Sequence, residues 1–409
     1  MFHVATGRSN HIDAFQAGRE AARSAQAEVV YRQGRHVRPG LALVFGDERY
    51  AQQRLLDGVT DVIGCNVALV GCSGNGQISS SGLEHGAVVV MLIWPGSRLA
   101  VCPVLTTGVG ANPHAAGLAL GRQIRARLPH AADVTTRTKW IGDHFVTIRP
   151  YTVLLFSDIA GSDHGLLSGA TAALGPAFQL VGGVAAGALR LSDPCVYFNG
   201  AVLHDAAVGL AIVSRVPTAV GVCHECRNEQ VATMTRRNGR GVFHGSVESL
   251  TQTFSPHIFG HQHQPAAIER YAEPFANGDH GVPHLPAPLH IQPVVKVNGA
   301  AAPNGPVPRN GCTEECNVEA ARDTATYARN SLGNALPAAA MVFSSSMSAG
   351  SGGASMGQKL AAVRSVLGES VPVIGFHTIG EPDALDQHTT HLTVPERHHQ
   401  TCVVYVVGI

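Results

Sequence analysis

The chain is poor in charge. Its 29 Lys and Arg balance 29 Asp and Glu, charged residues make up 14% of 409, and the formal net charge is zero. Without a basic or acidic excess there is no electrostatic footprint for nucleic acid and no pull toward a surface of opposite sign. Long apolar runs are missing too: none approaches the roughly 18 residues of a bilayer-spanning helix. The opening MFHVATGRSNHIDAFQAGREAARSAQ has no apolar signal core and is expected to be an amphipathic helix. These absences predict a cytoplasmic protein with no membrane segment. The nine cysteines are an odd number without the spacing of a small secreted domain, so reduced thiols are expected. No Cys-x-x-Cys-His occurs, which excludes covalent haem attachment of that type. What remains is 45% hydrophobic residues and 46 glycines. That is a globular composition, long enough for two ordinary domains or one large multi-unit domain with a sizeable core.

The apolar residues fall into an internal repeat. Three times the chain runs strand, helix, strand, glycine-bracketed loop and a further buried strand. The first copy is LALVFGD (41–47), a helix near YAQQRLLDGV, VALVGCSGNG (67–76) and GAVVVMLIW (86–94). The second is YTVLLFSD (151–158), a helix near HGLLSGATAAL, QLVGGVAAG (179–187) and AAVGLAIVS (206–214). The third is AAAMVFSSS (338–346), a helix near GASMGQKLAAVRSVLG, VPVIGFHTIG (371–380) and TCVVYVV (401–407). Each strand-helix-strand crossover predicts neighbouring parallel strands with a helix on one face, hence an α/β fold.

Each copy carries a G-x-x-x-x-G spacing: Gly71 to Gly76, Gly182 to Gly187 and Gly375 to Gly380. A Walker phosphate loop would continue with Lys and Ser or Thr, but Gln77, Ala188 and Glu381 follow, so the nucleotide reading fails. The glycines then mark tight turns or close approach of a ligand or another backbone. A histidine recurs just before the last strand of each copy, at His85, at His204 and at His398 or His399. Ligands of alternating α/β chains collect beyond the carboxyl ends of the parallel strands. Sequence does not say whether these histidines lie at that end.

Other clusters allow other chemistry. Cys223 and Cys226, in VCHECRNEQ, have zinc-like spacing, and Cys312 and Cys316 offer a second thiol pair. Nine of the 22 histidines fall between 204 and 290, among them His261 and His263, in a Pro- and Gly-rich stretch expected to be an irregular functional connection. FSSSMSAGSGGASMGQK puts Ser344, Ser345 and Ser346 at the end of a strand, where Lys359 or His377 could serve as base for a nucleophile.

VALVGCSGNGQISSSGLEHGAVVV, LVGGVAAGALRLSDPCVYFNGAVLHDAAVGLAIVS, PVIGFHTIGE and RHHQT together resemble the FIST domain, an N-terminal and C-terminal pair found in bacterial signal-transduction proteins. The resemblance runs over nearly the whole chain and is weakest around 225–310. It implies two FIST halves packed together, at 1–215 and 216–409, the second opening with a histidine-rich connection over about 216–310. It also implies a sensor that binds a small molecule, with amino acids proposed for the family, and signals through a partner histidine kinase or cyclic-nucleotide enzyme. One subgroup is similar to haem-based nitric-oxide sensors; in that form His398, from the closing H-x-Q-T, is the residue for haem iron. His399, His377, His204 and His85 follow it. The ligand pocket is expected at Gly71, Cys72, Ser73 and Gly76, at Gly182, Gly183 and Gly187, and at Gly375, His377, Thr378, Glu381 and Gln400. Glu381 would be its charged anchor. Three positions depart from the family pattern: His399 replaces Asn, His377 replaces Tyr and Gln77 replaces Glu. A non-haem metabolite binder, and a hydrolase, lyase or metal-dependent enzyme using the same pocket, are the alternatives.

Overall fold

LALVFGD, YTVLLFSD and AAAMVFSSS lack polar relief because each lies inside a sheet with both faces covered. The computed structural model describes residues 2–33, 38–74, 76–128, 137–141, 144–148, 151–158, 163–185, 194–224, 228–237, 240–244, 294–295, 306–310, 314–345, 353–378 and 401–409. The chain forms a main body, Met1–Glu225 with Asn317–Ile409, and an insert, Cys226–Cys316.

Repeat one contains β1 (His3–Ser9), α1 (Ala14–Gln33), β2 (Leu41–Asp47), α2 (Gln52–Ile63), β3 (Ala68–Gly74), the hairpin β4 (Gln77–Ser79) and β5 (Gly82–Glu84), and β6 (Val88–Trp94). Repeat two contains β7 (Leu99–Thr107), α3 (Pro113–Arg127), a two-stranded ribbon of β8 (Arg137–Ile141) and β9 (His144–Ile148), β10 (Tyr151–Ser157) and α4 (Asp163–Leu174). It continues with β11 (Phe178–Val184), the hairpin β12 (Val196–Phe198) and β13 (Ala201–Leu203), and β14 (Ala206–Ser214). Repeat three opens with β15 (Thr218–His224). The insert follows, with β16 (Asn228–Arg237), β17 (Arg240–His244), β18 (Val294–Val295) and β19 (Pro306–Asn310) in an antiparallel sheet of order β18-β17-β16-β19. Repeat three then resumes with α5 (Glu314–Ser331), β20 (Pro337–Ser345), α6 (Gly353–Leu367), β21 (Val373–Thr378) and β22 (Thr401–Gly408). None of the described helices is long and apolar enough to cross a membrane.

The three copies fold alike. Each central strand pairs in parallel with the strand after its helix: β2 with β3, β10 with β11 and β20 with β21. On the other side of each lies the last strand of the copy, and it runs antiparallel: β6, β14 and β22. Antiparallel entry puts the start of that last strand at the carboxyl end of the parallel pair. His85 and His204 therefore lie at the same end as the glycine segments, which the sequence left open.

An unanticipated strand closes each sheet. β1, β7 and β15 pair antiparallel with β6, β14 and β22. Residues 3–9 were expected to be helical and instead form β1. Only from Ala14 does the chain turn helical. The reason is tertiary: the exposed edge of β6 supplies hydrogen-bond partners that an isolated heptapeptide lacks.

Each sheet turns one face to its own helices and one to a shared core. Phe45, Phe156 and Phe343 occupy the same position in their central strands and meet there together with Phe376. Ring centroids are 5.5 Å apart for Phe45–Phe156, 6.2 Å for Phe156–Phe343 and 4.8 Å for Phe45–Phe376. Such aromatic pairs add roughly 0.5–1.5 kcal/mol each beyond area burial.

The hairpins do not stay at home. β4–β5, from repeat one, extends the sheet of repeat three by pairing with β21. β12–β13, from repeat two, extends the sheet of repeat one by pairing with β3.

Candidate functional site

The first glycine of each G-x-x-x-x-G lies inside a strand, not in a loop. Gly71, Gly182 and Gly375 stand opposite Val44, Leu155 and Val342 in the parallel ladders. A Cβ at these positions would lie 1.8, 2.0 and 1.7 Å from the carbonyl oxygens of those residues. The recurring glycine is thus a close approach of backbone to backbone. Gly183 is similar in kind: a Cβ there would lie 2.3 Å from Thr378 Cγ2 and 3.3 Å from Phe376 Cζ, so the core already fills that space. Gly76 has φ +105° and passes close to His85 and His377.

The register makes the three copies comparable residue by residue. Gly46, Ser157 and Ser344 are equivalent on the central strands; Ser73, Val184 and His377 are equivalent on the second strands. Side chains alternate along a strand. Val342 and Val373 pack with Leu360 and Val363 of α6, whereas Phe343 and Phe376 point into the shared core. Ser344 and His377 therefore share the face toward α6.

In repeat one this place is closed. Ser73 N–H donates to Cys195 O at 2.9 Å, and Cys195 N–H donates to Ser73 Oγ at 2.9 Å. Above Gly46 sits Tyr197 of the exchanged hairpin, fully buried, its hydroxyl bonded to Gln52 Oε1. Gln52 is itself anchored through Nε2 to the carbonyls of Asp47 and Tyr50, both at 2.9 Å.

In repeat three the same backbone bond forms, His377 N–H to Gly76 O at 2.9 Å, but the hairpin brings no tyrosine. Ile78 stands where Tyr197 stands in repeat one, and it carries no hydroxyl. Ser344 is fully buried and its Oγ has no hydrogen-bond partner among the described residues; neither does His377 Nε2, on a side chain only 7% exposed. Lys359 of α6 is 3% exposed and close enough for its charge to act on His377. Burial first, then Lys359, then His85 hold the His377 pKa down at about 4, so its imidazole is neutral at pH 7. A buried hydroxyl and a neutral imidazole thus share one face at the carboxyl ends of two parallel strands, with Lys359 of the covering helix close to the imidazole. That is where α/β sheets gather ligands.

Other expected residues are placed differently. Cys72 faces the shared core, where burial pushes its thiol well above the usual range. His204 is exposed, and its ring Nδ1 donates to Pro194 O at 2.9 Å. Counting back from the register, His399 rather than His398 is the sequence equivalent of His85 and His204: each lies three residues before Cys402, Val88 or Ala207. Gly187, Glu381, His398, His399, Gln400, Cys226, His261, His263 and Cys312 lie outside the described residues. The Cys223 backbone pairs with Cys402 in the β15–β22 ladder. Among the described residues no group of three or more His, Cys, Asp or Glu could hold a metal ion.

Motif reading passed over two features. Asp47 and Asp158 follow the aromatic of their strands in FGD and FSD and clamp the last strand. Asp47 Oδ2 accepts from Gly86 N at 2.6 Å and Asp158 Oδ1 from Ala206 N at 2.9 Å. Burial raises the Asp158 pKa against its backbone donors. The repeated F-x-D was the available signal. A G-x-S-x-G spacing also occurs, at Gly353–Gly357. It opens α6 with Ser355 ten residues beyond Ser345, which is not the tight strand-to-helix elbow of a hydrolase.

Residues 40–242 match the FIST N domain. The match starts just before β2, takes in the rest of repeat one and all of repeat two, and ends within the insert. The FIST N segment thus contains both hairpins and the closed site of repeat one. No curated protein matches the chain. Among solved structures it is similar to a cyanuric acid hydrolase from A. caulinodans, at 12% identity and a TM-score of 0.38 over 100% of this chain and 99% of that one. PurLQS from Thermotoga maritima is similar at 11% identity and a TM-score of 0.24, over 100% of this chain and 72% of that one. Likenesses this faint carry no functional argument.

Proposed function

We propose that the chain is a small-ligand-binding sensory protein of FIST type, and that the ligand sits at the carboxyl ends of β20 and β21. The observation that supports it is the pair of buried polar atoms, Ser344 Oγ and His377 Nε2, which have no partner among the described residues at the place where repeat one is sealed. Each unpaired group costs roughly 1–3 kcal/mol unless a ligand satisfies it. The ligand expected is a small molecule with hydrogen-bonding groups for a hydroxyl and an imidazole and with partial negative charge for Lys359. A partner kinase or cyclic-nucleotide enzyme would read the occupied state.

The haem form of this proposal rests on the resemblance of the closing motif, through His398. Haem needs an accessible imidazole in an apolar slot. Of the described histidines named for it, His204 and His85 are exposed, and His377 is buried beside Ser344 and Lys359.

A thermal-shift screen of the whole chain against metabolites is the test. A binder raises the melting temperature in proportion to RT ln(1 + [L]/Kd). The stabilisation should vanish in Ser344→Ala; a ligand that stabilises wild type and Ser344→Ala equally would move the site elsewhere. An absorption spectrum on the same sample decides haem: a Soret band lost in His398→Ala would establish it.

A further inference from the structure

We propose that Ser344 is a nucleophile that accepts an acyl group from a small carboxylic ester or amide, with His377 as its base and Lys359 facing the developing oxyanion. This rests on the ligand-site reading above and adds chemistry to it. Ser344 and His377 are register partners on adjacent parallel strands and share a face. Neighbouring strands lie about 4.8 Å apart, which sets the serine and the imidazole side by side; Ser344 Oγ and His377 Nε2 are not hydrogen-bonded to each other, so the contact closes by rotation of a side chain when substrate binds. Both reactive atoms are buried and unpartnered among the described residues, so neither is committed to the scaffold. The third group, Lys359, comes from the helix that covers that face and is buried with them. No other repeat assembles the set. Repeat one has Gly46 and Ser73 at these positions, and repeat two has Ser157 and Val184.

Among the described residues, the charged and titratable groups that bear on His377 are Lys359 and His85, and Cys402 stands opposite Ser344 on β22. The imidazole is unprotonated at neutral pH, the form a base requires. With hydrogen on Nδ1, Nε2 can take the Ser344 proton as Oγ bonds to the acyl carbon. The carbonyl electron pair moves onto oxygen, toward the Lys359 ammonium. Collapse breaks the bond to the alcohol or amine, which leaves with the proton from His377. Water, deprotonated by the same imidazole, then attacks the acyl carbon, frees the carboxylic acid and returns a proton to Oγ. The sum is ester or amide plus water giving acid plus alcohol or amine, with no oxidant or reductant.

The test treats the whole chain with a small sulfonyl fluoride and, separately, with p-nitrophenyl acetate, and locates adducts by fragment mass spectrometry. The expected result is a single serine adduct at Ser344, absent in Ser344→Ala and unchanged in Ser355→Ala. His377→Gln should slow labelling by roughly a hundredfold. Ser344→Ala removes no hydrogen bond seen among the described residues and should fold, so its silence is informative even if the His377 variant misfolds. No adduct at Ser344, or one that persists in Ser344→Ala, overturns the proposal. If wild type forms no adduct while metabolite stabilisation still depends on Ser344, the nucleophile is refuted and the ligand site stands. Loss of both would remove the ligand site as well.

Discussion

Repeat one and repeat three carry the same strands in the same register, yet their carboxyl ends differ. In repeat one, Ser73 is bonded twice to Cys195 and Tyr197 fills the space over Gly46. In repeat three the exchanged hairpin makes the same backbone bond at His377 but brings Ile78 in place of tyrosine, over a serine in place of glycine. One copy uses its hairpin as a plug; the other leaves Ser344 Oγ and His377 Nε2 buried with no partner among the described residues. Backbone geometry is therefore shared scaffolding, and side-chain exchanges at a few equivalent positions decide which copy has a site.

The comparison can be broken first at the scaffold. Gly71→Ala and Gly375→Ala should each abolish folding or cost more than about 4 kcal/mol, because both put a Cβ within 2 Å of a neighbouring carbonyl oxygen. Denaturant unfolding checks this. A mild effect in one repeat alone would mean that the two strand pairs are not equivalent.

Next is acid. Burial and Lys359 lower the His377 pKa in the folded state to about 4 from the ordinary 6.5, so between those values the unfolded chain binds more protons. Its contribution is full above pH 6.5 and is lost as pH falls toward 4, on the order of 3 kcal/mol. His377→Gln should flatten the stability curve in that window relative to wild type. Ser73, its counterpart in repeat one, has no such titration to lose.

Smaller effects separate plug from site. Tyr197→Phe and Ser73→Ala should each cost roughly 1–3 kcal/mol by stranding Gln52 Oε1 or the Cys195 N–H in the core. Ser344→Ala removes a buried hydroxyl that has no partner among the described residues and should raise stability by roughly 1–3 kcal/mol. If Ser344→Ala proves as costly as Ser73→Ala, the end of repeat three is as closed as that of repeat one.

Much of the fold was legible in the residues. The apolar runs at 41–47, 151–157 and 338–345 are central strands, and the helices that follow them lie where their patterns put them. The spaced glycines announced a close approach, though they suggested a ligand where Val44, Leu155 and Val342 supply the backbone oxygen. Ser344, Lys359 and His377 could each be named as reactive candidates. That Ser344 and His377 stand side by side could not be read, because they are 33 residues apart and only the parallel ladder aligns them.

By itself the sequence determined the α/β class, the threefold repetition and the residues able to do chemistry. Burial patterns and turn glycines are local properties, and a chain of this composition satisfies them in few ways. Only the tertiary structure decided that β4–β5 joins repeat three and β12–β13 joins repeat one. Strand exchange is set by which sheet edge lies free when the copies pack, a non-local pairing that no window of residues encodes. That exchange put Tyr197 over Gly46 and Ile78 beside the end of β21. One site closed and the other kept its polar groups because a hydroxyl arrived at the first and none at the second.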